Sequence, residues 1–317
     1  MTTQAMKTGI AGLVLAILVA VSQPLQAFWF WKKKDTYTET RYPIVLVHGM
    51  LGFDAVLGVD YWYRITGELS RSGAEVYVAQ VTALDSSEAR GLELITQLEN
   101  LKAITGADGF NLIGHSHGGP TSRVAASLRP DLVKSVTSVG SPHKGSPVAD
   151  VVLGVSENPV AETVVTSVLN GLGSLINGLS SNPTDNGQDA MASLQALSLA
   201  GSAAFNQQYP EAIPADCGEG DYSVNGIRYY SWSGTEPFTN PLDVTDYALT
   251  LVALAIDEPN DGLVGRCSSH MGMVIRDNYK MNHLDEVNQV LGIHSLLDTD
   301  PVTVYRQHAN RLKNAGL

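Results

Sequence analysis

Positive charge is scarce in this chain: 20 Lys and Arg stand against 32 Asp and Glu, a formal net charge of −12 over 317 residues. That acidity disfavours nucleic acid as a partner. Cysteine is nearly absent, with two residues, Cys217 and Cys267. Two cysteines exclude a disulfide-dense small fold; they suit one disulfide in an oxidising compartment, or two separate buried thiols. A bridge closing about 50 residues would stabilise the fold by roughly 4 kcal/mol in the chain-entropy picture. There is no internal repeat and no low-complexity tract. The one long apolar run, Gly9 to Val21, is short for a membrane span.

That run follows Lys7 and precedes Leu25-Gln-Ala27, so residues 1–27 read as a signal peptide for export. An uncleaved anchor is the alternative, because Phe28-Trp-Phe-Trp31 and three lysines follow at once. Removing a 27-residue piece with one Lys and no acid leaves 290 residues at −13. This length suits one α/β domain over 28–317, with or without an inserted cap.

Strand and helix patterns alternate through the first half. Ile44–Val47, Val76–Val81, Phe110–Ile113 and Val133–Val139 read as strands. Tyr61–Ser70 and Ser87–Ile104 read as helices, the latter with Leu92, Ile95, Leu98 and Leu101 on one face. This rhythm predicts βαβ units and a mostly parallel sheet flanked by helices. From Val151 to Asn206 the rhythm breaks. No charge falls between Glu162 and Asp185, while Val164, Val165, Val168, Leu169, Leu172, Leu175, Ile176 and Leu179 recur at helical spacing. The segment is either a buried helix pair or a helical lid over the site.

Chemistry concentrates at Gly114-His-Ser-His-Gly118, the sole GxSxG of the chain. A strand stopping in a tight turn before a helix pushes the Ser116 hydroxyl into the open at the strand's end. A serine needs a base and an orienting acid. In the α/β-hydrolase order of Ser, acid, His, the histidines after Ser116 that qualify are His283, His294 and His308. His308 lies in a polar terminal helix and is expected to be solvated; His294 precedes an apolar run; His283 sits in a polar loop after a strand-like Met273–Ile275, and is preferred. Asp261, in a turn, is the preferred acid over Asp257 and Glu258. His115 and His117 flank the serine but are poorly directed for base work. The oxyanion donors are expected to be the backbone N–H groups of His117 and, in the loop after the first strand, Met50.

Four stretches together carry a family resemblance: His48-Gly-Met-Leu-Gly-Phe-Asp54, Gly114-His-Ser-His-Gly-Gly-Pro120, Asn260-Asp-Gly-Leu-Val-Gly265 and Asp277-Asn-Tyr-Lys-Met-Asn-His-Leu-Asp-Glu-Val-Asn-Gln289. They resemble the secreted, foldase-dependent triacylglycerol lipases of the Pseudomonas type, from about Thr36 to the C-terminus. The aromatic leader at Phe28–Trp31 departs from that family. The resemblance implies an α/β-hydrolase fold, in which the stretch at about 151–206 is expected to be the helical lid or cap. It implies the triad Ser116, Asp261 and His283, the oxyanion pair Met50 and His117, and a Cys217–Cys267 disulfide. It implies one structural Ca2+ held by Asp243, Asp285, Gln289 and Ile293; spacing alone makes such a site no more than a guess. It implies action at a lipid/water interface on acylglycerols, a dedicated foldase chaperone during export, and secretion through the periplasm. An esterase or polyester hydrolase with the same triad, or a non-catalytic binding protein of this fold, are the alternatives.

Overall fold

The computed structural model describes residues 35–50, 55–56, 59–155 and 189–317. The expected signal peptide, the aromatic leader and the uncharged apolar stretch from Val164 to Leu179 lie outside the described residues. Of the 151–206 cap, only 151–155 and 189–206 are described. Among the described residues, no helix is long and apolar enough to cross a membrane.

The backbone alternates strand and helix as the sequence pattern requires: β1 (Ile44–Val47), α1 (Ile65–Arg71), β2 (Val76–Ala79), α2 (Ser87–Thr105), β3 (Phe110–His115), α3 (Gly118–Leu128) and β4 (Val133–Val139). Short helices α4 (Pro147–Val152), α5 (Ala190–Leu197) and α6 (Leu199–Gln208) follow. Then come β5 (Ser223–Val224), β6 (Ile227–Gly234), α7 (Val244–Val252), β7 (Met273–Tyr279) and α8 (Pro301–Asn314). The sheet runs β2-β1-β3-β4-β6, with β5 and β7 both pairing β6. Every pairing is parallel except the β5–β6 hairpin. A two-residue antiparallel ladder, Ala55–Val56 with Val59–Asp60, stands apart.

Because side chains alternate across a strand, β1 feeds two cores. Val45 and Val47 join Phe110, Leu112 and Val136 on the face covered by Leu94 and Leu98 of α2 and Ala125 and Ala126 of α3. Ile44 and Leu46 join Ile113 and Trp232 on the face covered by Ile65 and Leu69 of α1 and Val304, Tyr305 and Ala309 of α8. A strand buried on both faces reads as a continuous apolar run, which is why Ile44–Val47 was legible as a strand.

Two expectations are corrected here. The inward stripe of α2 is Ser87, Arg90, Gly91, Leu94 and Leu98, and Leu92 is 56% exposed. An apolar count alone placed Leu92 inside because it could not anticipate an arginine on the buried face. His308 is not solvated: it is buried, bonded to Thr137 Oγ1 at 2.7 Å and packed edge-on against Trp232 and Tyr230. Apart from His308 and Tyr305, the polar residues of α8 lie on its partly or fully exposed face.

Candidate active site

The loops at the C-terminal ends of β1, β3, β6 and β7 supply the site. β3 runs straight into α3 with only Ser116 and His117 between them. Ser116 takes φ 56°, the left-handed region that costs a non-glycine residue on the order of 1 kcal/mol or more. The turn is held by Ser116 N–H donating to Val139 O at 2.9 Å and Gly119 N–H to Ser116 O at 3.0 Å. Its glycines are obligatory for steric reasons. A Cβ at Gly118 would lie 2.0 Å from Val47 O, and one at Gly114 would lie 2.3 Å from Gly118 O. Both obstacles are backbone and cannot rotate away. Ser116 is thereby raised at the strand end, half-buried, with His117 N–H at the positive end of α3.

Asp261 and His283 come together. His283 Nδ1 lies 2.7 Å from Asp261 Oδ2, and His283 N–H donates to Asp261 O at 2.9 Å. The other carboxylate oxygen of Asp261 accepts from Leu263 N–H at 2.8 Å and Val264 N–H at 2.7 Å. Asp261 is therefore fully buried yet fixed in orientation by its own turn. His294 sits elsewhere, its Nδ1 at 2.8 Å from Ser295 O.

Four site residues escaped the sequence reading. Arg90 is wholly buried and donates to His48 O, Thr82 O, Ala83 O and Thr121 Oγ1, clamping the loop that carries Met50 from beneath. Burial lowers its pKa to about 10, so it remains charged at neutral pH. An arginine in register with Leu94 and Leu98 was the available signal. Tyr61 and His115 bond each other at 2.6 Å. Glu286 is buried, accepts from Gly234 N–H at 2.6 Å, and places Oε2 3.4 Å from His115 Nε2 and 3.9 Å from His283 Nδ1. Burial, reinforced by Asp261, holds the Glu286 carboxyl well above the usual range; burial and His283 hold His115 well below its own. Both shifts disfavour the charged forms, so the Glu286–His115 contact draws little from ion pairing. His117 turns its ring away from Ser116, to Ser87 Oγ at 2.9 Å and Ser193 Oγ at 3.3 Å, leaving its N–H as the group of interest.

His115, His283 and Glu286 offer ligand atoms within 4.8 Å of one another, a cluster that could hold a metal ion. Two imidazoles suit a borderline transition metal, not calcium, which takes hard oxygens. Asp243 and Asp285, two of the expected calcium residues, lie near each other in a different place. Asp243 Oδ2 and Asp285 Oδ1 are buried without a hydrogen-bond partner, an arrangement that costs free energy unless a cation completes it. Burial first, then the Asp246 and Asp243 carboxylates, raise the Asp285 pKa to about 7. Asp243 also caps α7 through Thr245 N–H at 2.8 Å. Between Gln289 and Ile293 the chain makes a left-handed turn at Val290 (φ 54°) and Leu291 (φ 60°), after Asn288 at φ 58°. A β-branched residue there is strained. The two orphaned carboxylate oxygens of Asp243 and Asp285 fit a hard cation.

A family described as alpha/beta hydrolase fold matches residues 42–315. A triacylglycerol lipase of Vibrio cholerae serotype O1 is 57% identical over 310 residues, covering 96% of this chain and 99% of the relative. The chain belongs to the bacterial triacylglycerol lipases of the α/β-hydrolase family. A triacylglycerol lipase of Pseudarthrobacter phenanthrenivorans is 41% identical, covering 89% of this lipase and 100% of the relative. The mature form of Bacillus licheniformis lipase BlEst2 superposes with a TM-score of 0.60 at 16% identity, over 86% of this chain and 92% of that one. At that identity the likeness establishes the shared fold of this lipase. The Cys217–Cys267 disulfide is formed, with Cα atoms 4.8 Å apart.

Proposed function

We propose that this lipase hydrolyses acylglycerol esters through an acyl-enzyme on Ser116, with His283 as base and Asp261 as its orienting acid. Ser116 Oγ attacks the ester carbonyl carbon while its proton passes to His283 Nε2 and the carbonyl π pair moves onto oxygen. That oxyanion is met by the N–H groups of Met50 and His117, which are fixed before the reaction begins. The carbon–oxygen bond to the glycerol side then breaks, and the leaving alkoxide takes the proton from His283. Water, deprotonated by the same histidine, attacks the acyl-enzyme and returns Ser116 with a free fatty acid. Asp261 accepts from His283 Nδ1–H, holding that tautomer and stabilising the imidazolium. The observation that carries this reading is the 2.7 Å contact between His283 and a buried, doubly bonded Asp261, beside an elbow serine held at φ 56°.

The same reading assigns one calcium ion to Asp243, Asp285 and the main-chain carbonyls of Gln289 and Ile293. When bound, the ion would supply charge neutralisation and tie the His283 loop to α7 through Asp285 and Asp243. Export as a secreted protein, with a foldase assisting in the periplasm, is supported by the signal-like residues 1–27 and the disulfide. The uncharged stretch between Glu162 and Asp185 supports a lid that opens at a lipid surface.

The distinguishing experiment compares purified enzyme on emulsified long-chain triglycerides and on dissolved short-chain esters. A lipase turns over the emulsion and accelerates as droplets form. Activity confined to dissolved esters would move the reading to an esterase.

A further inference from the structure

A buried chain of hydrogen bonds links the oxyanion loop to the loop of the reacting histidine, through two residues with no part in the steps above. Gly49 N–H donates to Tyr61 Oη at 3.0 Å, Tyr61 Oη lies 2.6 Å from His115 Nδ1, and His115 Nε2 lies 3.0 Å from His283 O. The directions follow from chemistry. A carbonyl oxygen only accepts, so His115 Nε2 carries the hydrogen. In a neutral imidazole Nδ1 is then bare and accepts from the Tyr61 hydroxyl, whose oxygen in turn accepts from Gly49. The neutral form agrees with burial and the adjacent His283, which disfavour protonation of His115.

Each end of the chain is anchored. A Cβ on Gly49 would lie 2.7 Å from Ser116 Cβ and 2.9 Å from Tyr61 Oη, so the loop is wedged between the nucleophile and the tyrosine. Tyr61 is fixed from behind: Gln289 Nε2 donates to Asp60 O at 2.9 Å and Tyr61 O at 2.6 Å, and Asn288 Nδ2 to Tyr63 O at 2.8 Å. Its ring packs edge-on to Trp62 at 5.2 Å. The His115 ring stacks against His283 at a centroid distance of 4.5 Å. Met50 follows Gly49 directly, so rotation of the Gly49 peptide would re-aim the Met50 N–H.

We propose that Tyr61 and His115 form a strut that sets the spacing between the oxyanion loop and the His283 loop, and are positioning residues for acyl transfer. This rests on the assignment of Ser116, His283 and Met50 above. Removing the Tyr61 hydroxyl takes the hydrogen-bond partner from Gly49 N–H and leaves that peptide held from the Arg90 side alone, through His48 O, while the ring still fills its place. The cost falls on the tetrahedral species, whose oxyanion needs a donor within a few tenths of an ångström, and not on ground-state binding.

The test uses Tyr61→Phe, His115→Gln (a donor for His283 O without an acceptor for Tyr61) and the double variant. Turnover of a dissolved p-nitrophenyl ester is measured per active site titrated with a phosphonate. Each single change is expected to lower kcat roughly 10- to 100-fold with KM within about twofold, and to slow phosphonate inactivation by a similar factor. The double variant is expected to be no worse than the weaker single, because both break one chain. A wild-type kcat per titrated site, with only fewer sites or a lower melting temperature, means the contacts are structural and overturns the proposal, as do fully additive losses. If His115→Gln does not fold, kcat per site in Tyr61→Phe decides alone. Ser116→Ala is the control: retained turnover there defeats the site assignment itself, whereas a dead Ser116→Ala beside a normal Tyr61→Phe defeats only the strut.

Discussion

Acid should unfold this lipase over a narrow pH range, because it keeps five histidines buried and neutral. His48, His115, His117, His143 and His308 all have their pKa lowered, in each case chiefly by burial, and His48 falls to about 3. In the unfolded chain each titrates near 6.5. A group with a depressed folded pKa contributes its full stability above the unfolded value and loses it as pH falls toward the folded one. Each such histidine therefore removes about 1.4 kcal/mol per pH unit below about 6. Glu286 and Asp285 oppose this with one proton each, since their raised folded pKa values make the native state the better proton binder above the unfolded values near 4. The net excess of three protons in the unfolded chain, five histidines less two acids, gives a slope of about 4 kcal/mol per pH unit. A native stability of about 5–15 kcal/mol would be spent within one to four units. Urea midpoints measured in calcium buffers between pH 7.5 and 4.5 test this. His308→Gln, which can keep the bond to Thr137, should flatten the slope by about 1.4 kcal/mol per pH unit. Stability flat from pH 7 to 5, or an unchanged slope in His308→Gln, would refute the reasoning.

Three further outcomes are expected. Ser116→Ala and His283→Ala should each reduce ester hydrolysis by about three or more orders of magnitude in folded protein, as judged by circular dichroism; Asp261→Asn should be severe as well. Chelation should lower the melting temperature and, more slowly, activity, with calcium restoring both; Asp243→Ala and Asp285→Ala should melt alike with calcium and with chelator, and a chelator-insensitive wild type would remove the ion from the account. Replacing Cys217 and Cys267 by serine should cost up to roughly 4 kcal/mol, read as a melting temperature lower by about 10 °C, and an unchanged midpoint would mean the bridge does not constrain the unfolded chain.

What could be read from the sequence follows local rules. The strands were visible because both faces of β1 and β3 are buried, and the elbow because its glycines have backbone reasons to be glycine. The disulfide pairing needed only two cysteines. The hidden part of the site consists of long-range polar contacts. Arg90 bonds carbonyls of His48, Thr82 and Ala83, and Tyr61 meets His115 across 54 residues. Glu286 meets the His115 imidazole across the sheet end. Nothing in composition or spacing announces such partners, because a buried polar group is recognised by what satisfies it. The helix α7, capped by Asp243, likewise went unread, since its cap was read as one of the expected calcium ligands.

The central claim is that Ser116 is the nucleophile, and the most direct measurement is adduct mapping with a long-chain alkyl fluorophosphonate. The account predicts one phosphonyl group per chain, located by peptide mass spectrometry on Ser116, with triglyceride hydrolysis lost in proportion to labelling and no label on Ser116→Ala. Stoichiometric labelling at any other residue, or full hydrolysis by protein labelled at Ser116, would contradict it.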